Sequence, residues 1–242
     1  MRAVPVMIAA GIATSPQFLD RLAERLGAEL LPDGVALAPE VAYPYGDWAR
    51  GKAAQVRELA RDWWLPPVRT AAAAFAAATR GADWLAVRTA ERCPAGSPRP
   101  LLIGHSGGGV ACVRAAELLR RQGITPRGVV QIGSPRCAVP RWLTARTLFI
   151  RAVGIHSGRI DPITRLGGWG GWIRGRSGVP RWSAAARAPG CVTVVPIVGG
   201  HADYFRDHAP YIQGTKSNLD ITLDAVKLWL AEKDNDEKEI DQ

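Results

Sequence analysis

"LLIGHSGGGVACVRAAELLRR", Leu101 to Arg121, sets an apolar run against a serine among four glycines and then passes straight into a helical pattern. Leu101, Leu102, Ile103 and Gly104 read as a short buried strand, preceded by the loop "CPAGSPRP" (Cys93 to Pro100). Val110, Val113, Leu118 and Leu119 then recur at helix-compatible spacing. Between the two lies "GHSGG" (Gly104 to Gly108), a match to G-x-S-x-G. A serine at such a sharp strand-to-helix turn must take a strained backbone angle. Side chains on its neighbours would collide with the strand and the helix, so glycines flank it. The bare pattern is weak evidence; a strand before it and a helix after it make it specific.

Working outward, the run Val6 to Ala10 and "GIATSPQFLDRLAERLG" predict a strand, a glycine turn and a helix. Ser15 caps that helix, Pro16 takes its first position, and Phe18, Leu19, Leu22 and Leu26 lie on one face up to Gly27. "GVALAPEVAYPYG" (Gly34 to Gly46) contains Pro39, whose missing N–H confines the segment to a sheet edge. Ala49 to Arg92 is helical in character, with a break at "WWLPP" (Trp63 to Pro67) and an alanine-rich stretch after it. "RGVVQIGSP" (Arg127 to Pro135), "RTLFIRAVG" (Arg146 to Gly154) and "CVTVVPIVGG" (Cys191 to Gly200) are further strands, the last marked as an edge by Pro196. "SNLDITLDAVKLWLAEK" closes the pattern as an amphipathic helix using Ile221, Leu223, Val226, Leu228 and Leu230. The expected fold is α/β: a doubly wound, mostly parallel sheet of about six strands flanked by helices. A single domain is expected over residues 1–231, followed by a frayed acidic tail over 232–242.

The composition sets limits on function. The 242 residues are 47% apolar, ample for one core. The net charge is +9, and the tail from Glu232 holds six acids against two lysines, leaving +13 on the body. No basic block is interleaved with aromatics, so no nucleic-acid partner is expected. Cys93, Cys112, Cys137 and Cys191 have neither CxxC spacing nor histidine neighbours, so no disulfide scaffold, no metal centre and no cofactor is expected. "MRAVPVMIAAGIATSP" imitates a signal peptide, but Pro5 breaks its apolar run and a helix start follows. A buried strand and a cytoplasmic location are the favoured reading over secretion.

If Ser106 is a nucleophile, it needs a base within hydrogen-bond reach. Of the four histidines, His105 adjoins the serine and points elsewhere, His156 lies in a glycine loop and His208 in a polar segment. His201, in "VGGHADYF", follows the last strand on a glycine pair and suits a base carried back over the sheet's carboxyl edge. Asp161, in "GIHSGRIDPITRLGG", lies between serine and histidine in chain order and is the candidate acid. Asp-Pro also initiates ordinary turns, and Asp203 and Asp207 are the rivals. An oxyanion hole would draw one N–H from Gly107 and the other from Ile12 or Ala13 in "AAGIATSP", with Ile12 preferred.

"AAGIATSP", "GHSGGG", "GRIDP" and "GGHADYF" together resemble the α/β-hydrolase superfamily, most closely its small bacterial lipases and esterases. The resemblance spans nearly the whole chain. It implies a parallel sheet, a Ser106–Asp161–His201 triad and hydrolysis of carboxylic esters through an acyl-enzyme. The chain departs from larger members in beginning at what corresponds to their third strand, and it lacks an HG pair in the first turn. An acyltransferase or a thioesterase using the same residues is the alternative, and a non-catalytic binding module of the same fold is a third reading.

Arg165 to Gly190 has three tryptophans and five arginines. One reading is a flap whose Trp169, Trp172 and Trp182 cover an acyl pocket while its arginines face lipid head groups; the other is a loop and helix whose tryptophans pack on the core. The expected partner is a small-molecule ester or a lipid, with peripheral membrane contact through this segment and no obligate protein partner.

Overall fold

The computed structural model describes residues 3–29, 31, 34–64, 81–174 and 179–240. Strands β1 (Val4–Ala9), β2 (Leu37–Ala42), β3 (Leu101–His105), β4 (Gly128–Ile132) and β5 (Thr147–Gly154) come first along the chain. They are followed by an inserted antiparallel hairpin, β6 (Gly171–Arg174) and β7 (Pro180–Ser183), and then by β8 (Cys191–Ile197). The main sheet has the order β2-β1-β3-β4-β5-β8, and every neighbouring pair is parallel. Its helices are α1 (Asp20–Gly27), α2 (Lys52–Trp64), α3 (Ala82–Glu91), α4 (Gly107–Arg121) and α5 (Asn218–Ile240). The architecture is thus a doubly wound parallel α/β sheet flanked by helices.

The prolines sort the strands. Pro39 and Pro196 lie on β2 and β8, the two edges, where an absent N–H breaks no ladder. Pro5 lies inside β1, between β2 and β3. Val4 and Ala10 donate toward β2, so the odd positions of β1 face β3. β3 joins only at Val6 opposite Leu101, so the missing Pro5 N–H faces no partner strand.

Strand alternation splits the core in two. Val4, Val6 and Ile8 pack with Leu22 and Leu26 of α1 and with Leu223, Val226 and Trp229 of α5. Met7 and Ala9 face the other way, against Leu59 of α2, Leu85 of α3 and the apolar face of α4. On that second side Tyr45 donates to Asp62 Oδ2 (3.0 Å), which also accepts the Ala82 N–H (2.8 Å). Burial pushes the Asp62 carboxyl above its usual range. This pair ties α2, α3 and the chain after β2 together beneath the start of α4, where Leu59 and Tyr45 lie nearest to Gly107.

Four sequence expectations change. Helix α1 begins at Asp20 and not at Pro16, because Gln17 has φ of +69° and cannot be helical, and Ser15 sits in a turn instead of capping. That turn carries Phe18 against His105. On α5 the buried stripe is Leu219, Leu223, Val226, Trp229 and Leu230; Leu228 is 65% exposed, a full 3.6-residue period putting Trp229 inward in its place. The backbone of α5 continues through the acidic segment to Ile240 rather than fraying at Glu232. Arg165 to Gly190 holds a β-hairpin where a loop and helix stood as one reading. Helix α2 runs through Trp63 and Trp64; the rest of the predicted break, Leu65 to Pro67, and the alanine-rich stretch up to residue 80 lie outside the described residues. Among the described residues, no helix is long and apolar enough to cross a membrane.

A methyl group on Gly108 would collide with the carbonyl oxygen of Ala9 on β1. Gly108→Ala is expected to cost about 1–3 kcal/mol in urea denaturation, as overpacking does. Gly168→Ala, where the added carbon meets only Gly170 N at 3.9 Å, should leave the midpoint near that of the parent chain.

Candidate active site

Ser106 stands between β3 and α4 with φ +53° and ψ −129°, a conformation few non-glycine residues adopt. Its neighbours accommodate the turn by close approach. A Cβ on Gly104 would strike the backbone of Gly108 and Gly109, so β3 and the first turn of α4 pass each other without side chains between them. The Ser106 N–H donates to Ile132 O (2.9 Å), which anchors the turn to β4.

His201 follows β8 and is brought over this turn. Its Nε2 lies 3.0 Å from Ser106 Oγ and its Nδ1 lies 2.8 Å from Asp161 Oδ2. The His201 side chain is 28% exposed, whereas that of Asp161 is fully buried. A carboxylate only accepts, so Nδ1 carries the proton and Nε2 presents its lone pair to the serine hydroxyl.

Asp161 is bonded through both of its carboxylate oxygens. Its Oδ1 accepts the Ile163 N–H (2.9 Å) and caps the short 3₁₀ turn Pro162–Arg165, as an Asp-Pro turn former does. Its Oδ2 accepts from His201. The same oxygen accepts the Tyr204 hydroxyl (3.0 Å), and that hydroxyl in turn accepts the Ala152 N–H of β5 (2.7 Å). Burial, and then the charge of Asp161, push the Tyr204 phenol well above its ordinary pKa, so it remains a donor. No sequence signal singled out Tyr204: its position, three residues after His201, says nothing about where its hydroxyl ends.

The rivals lie elsewhere. Asp203 accepts the Gly200 N–H (2.9 Å) and shapes the turn that carries His201. Asp207 pairs with Arg21 at 2.9 Å. His156 is exposed, and His208 sits beside Asp207 and Tyr211.

The loop after β1 reaches the same place. A Cβ on Gly11 would lie 2.8 Å from Ser106 Cβ and 3.1 Å from Gly107 N. Gln55 of α2, fully buried, fixes the loop: its Oε1 accepts the Ala13 N–H (2.7 Å) while its amide donates to Asp47 O and Arg50 O. The Ala13 N–H is therefore engaged. Gly107 opens α4, where backbone N–H groups have no intrahelical acceptor.

The three tryptophans are divided. Trp169 is half-buried, edge-on to Phe149 (5.1 Å) and beneath the Arg136 guanidinium (4.7 Å). Trp172 and Trp182 form a cross-strand pair on the β6–β7 hairpin, 66% and 57% exposed, with ring centroids 5.7 Å apart. Neither group touches Ser106, Asp161 or His201 through any of these contacts. Trp172 instead lines a cleft of about 450 Å³ with Arg141, Ile173, Arg174 and Pro180. A larger cavity of about 1020 Å³ lies along β2, between Glu40, Tyr43, Trp84 and Arg88, apart from the triad. Among the described residues, no group of three or more His, Cys, Asp or Glu side chains is placed to hold a metal ion.

No protein-family model and no curated protein matches the chain. Solved structures resemble it at low identity. The RedJ thioesterase of the prodiginine pathway of Streptomyces coelicolor is 16% identical, over 96% of this chain and 91% of that one, with a TM-score of 0.48. The type II thioesterase YbtT of the yersiniabactin pathway is 16% identical over 83% and 86%, with a TM-score of 0.42. The Vlm2 thioesterase domain bound with a dodecadepsipeptide is 14% identical over 94% and 96%, with a TM-score of 0.45.

Tyr204→Phe removes a donor from Asp161 and leaves the Ala152 N–H buried without its acceptor. Chemical denaturation is expected to find the variant less stable by about 1–3 kcal/mol, with its far-ultraviolet circular dichroism unchanged.

Proposed function

We propose that the protein is a serine hydrolase that cleaves carboxylic esters through an acyl-enzyme. The observation that carries this reading is the single imidazole of His201, which reaches Ser106 Oγ with one nitrogen and Asp161 with the other. In the proposed reaction His201 Nε2 takes the serine proton as Oγ attacks the acyl carbonyl, and Asp161 stabilises the imidazolium that forms. The backbone N–H groups of Gly107 and Ile12 receive the oxyanion at the start of α4, where the helix dipole adds positive potential. His201 then returns the proton to the leaving alcohol. Water, activated by the same nitrogen, releases the acid.

A thioester would enter the same cycle with a better leaving group, and an acyltransferase would replace water with another acceptor. The fold and the triad alone do not name the acyl donor. A non-catalytic module has less support, since nucleophile, base and acid are all present in bonding register.

The exposed Trp172–Trp182 pair supports peripheral contact with a lipid surface. The rings stand on a hairpin beside Arg174 and Arg181, the pairing of indole and cation that suits an anionic head-group region.

Purified protein should hydrolyse nitrophenyl esters or acyl thioesters in a series of increasing chain length. Ser106→Ala should abolish this without unfolding, and Asp161→Asn should lower kcat by about 10⁴-fold. Activity retained by Ser106→Ala would reject the reading, while a preference for sulfur over oxygen leaving groups would move it to the thioesterase class. In vesicle sedimentation, Trp172→Ala/Trp182→Ala should bind phosphatidylserine-containing vesicles more weakly than the parent chain. Equal binding would remove the lipid role alone.

A further inference from the structure

His105, the variable residue of the serine turn, is buried in an aromatic box. Phe18 (5.3 Å), Phe205 (5.2 Å) and Tyr204 (5.9 Å) surround its ring, and His201 lies 5.0 Å away, stacked at 25°. Its Nε2 lies 3.2 Å from the main-chain oxygen of His201. A carbonyl only accepts, so Nε2 carries the proton and Nδ1 keeps the lone pair. That Nδ1 is buried with no partner among the described residues. A phenyl ring would fill the box without stranding a polar atom, so packing does not account for an imidazole here.

We propose that His105 is a positioning residue for His201: its Nε2–H tethers the His201 carbonyl, and its ring supports the His201 imidazole from below. The inference rests on the reading of Ser106 and His201 as nucleophile and base. The tether closes a short circuit in which Ser106 is covalently joined to His105, and His105 is hydrogen-bonded to the residue whose Nε2 must meet Ser106 Oγ. It acts where the backbone has most freedom, since His201 follows Gly199, at φ +95°, and Gly200. The Gly200–Asp203 turn fixes that loop locally, but only the His105 bond among those described ties the His201 main chain directly to the serine turn.

The device requires a neutral His105. His201 becomes a cation during the proposed reaction, and a second cation stacked on it would oppose that step. The titratable groups facing His105 are His201, Asp161 and Tyr204; Phe18 and Phe205 are apolar. Burial, followed by the proximity of His201, lowers the His105 pKa to about 3, so it stays neutral at any working pH.

The test combines histidine nitrogen NMR with kinetics on three chains: wild type, His105→Phe, which keeps a ring without a donor, and His105→Gln, which returns a donor near the Nε2 position. In wild type His105 should hold the neutral Nε2–H form from pH 5 to 9. In His105→Phe the His201 Nδ1–H resonance should broaden and exchange faster with solvent, as its bond to Asp161 loses alignment. There kcat should drop about tenfold at little-changed KM, and His105→Gln should recover most of the loss. A protonated or Nδ1–H His105, an unchanged His201 Nδ1–H resonance in His105→Phe, or a Gln variant as impaired as the Phe variant would each overturn the proposal. The NMR arms need no substrate. Coupling between the two histidines in a chain without Ser106-dependent hydrolysis would uphold the tether and reject the hydrolase reading instead.

Discussion

Everything at the candidate site depends on one strained residue. Ser106 holds φ +53° at the point where β3 becomes α4, a conformation that costs on the order of 1–3 kcal/mol and persists only where its surroundings over-determine it. Here they do. β3 is central in the sheet and completely buried, α4 packs along the sheet with ten buried residues, and Gly104 and Gly108 let strand and helix meet backbone to backbone. The strain aims one hydroxyl away from the sheet and toward loops that arrive from other strands.

Those loops come from the carboxyl ends of β1, β5 and β8, the same edge at which β3 ends, which is where open parallel sheets build their sites. Each is fixed by hydrogen bonds within the fold. Gln55 holds the loop after β1, Asp161 caps the turn Pro162–Arg165 with its own Oδ1, and Asp203 shapes the turn under His201. Tyr204 joins two of these arms, since its hydroxyl bonds both to Asp161 and to the Ala152 N–H of β5. Positioning is thus distributed over the fold while the reacting groups remain few.

Much of this was legible in the sequence because the relevant signals are local. Pro39 and Pro196 mark the two edges through the ladder bond that each cannot make, and the glycines around Ser106 mark a turn that tolerates no side chains. The chain order of Ser106, Asp161 and His201 follows from which strands end in glycine loops. What escaped the sequence depends on tertiary geometry. Gln17 adopts a left-handed φ that no pattern announces, which moved the start of α1 and sent Phe18 to His105. The inward choice of Trp229 over Leu228 is settled by the phase of the helix against the sheet. Adjacency to Ser106 says only that His105 points elsewhere; that its Nε2 faces the main-chain oxygen of His201 is a tertiary fact. Asp161 reads as either an acid or a turn former because a single letter cannot show that its two oxygens take separate partners.

The central claim is that Ser106 is an activated nucleophile. It is tested most directly by treating the folded protein with a fluorophosphonate and mapping the adduct by peptide mass spectrometry. The account predicts one phosphonyl group, on Ser106, formed while the chain is native and absent after unfolding. An adduct on another hydroxyl, or a native chain that remains unmodified, would contradict it.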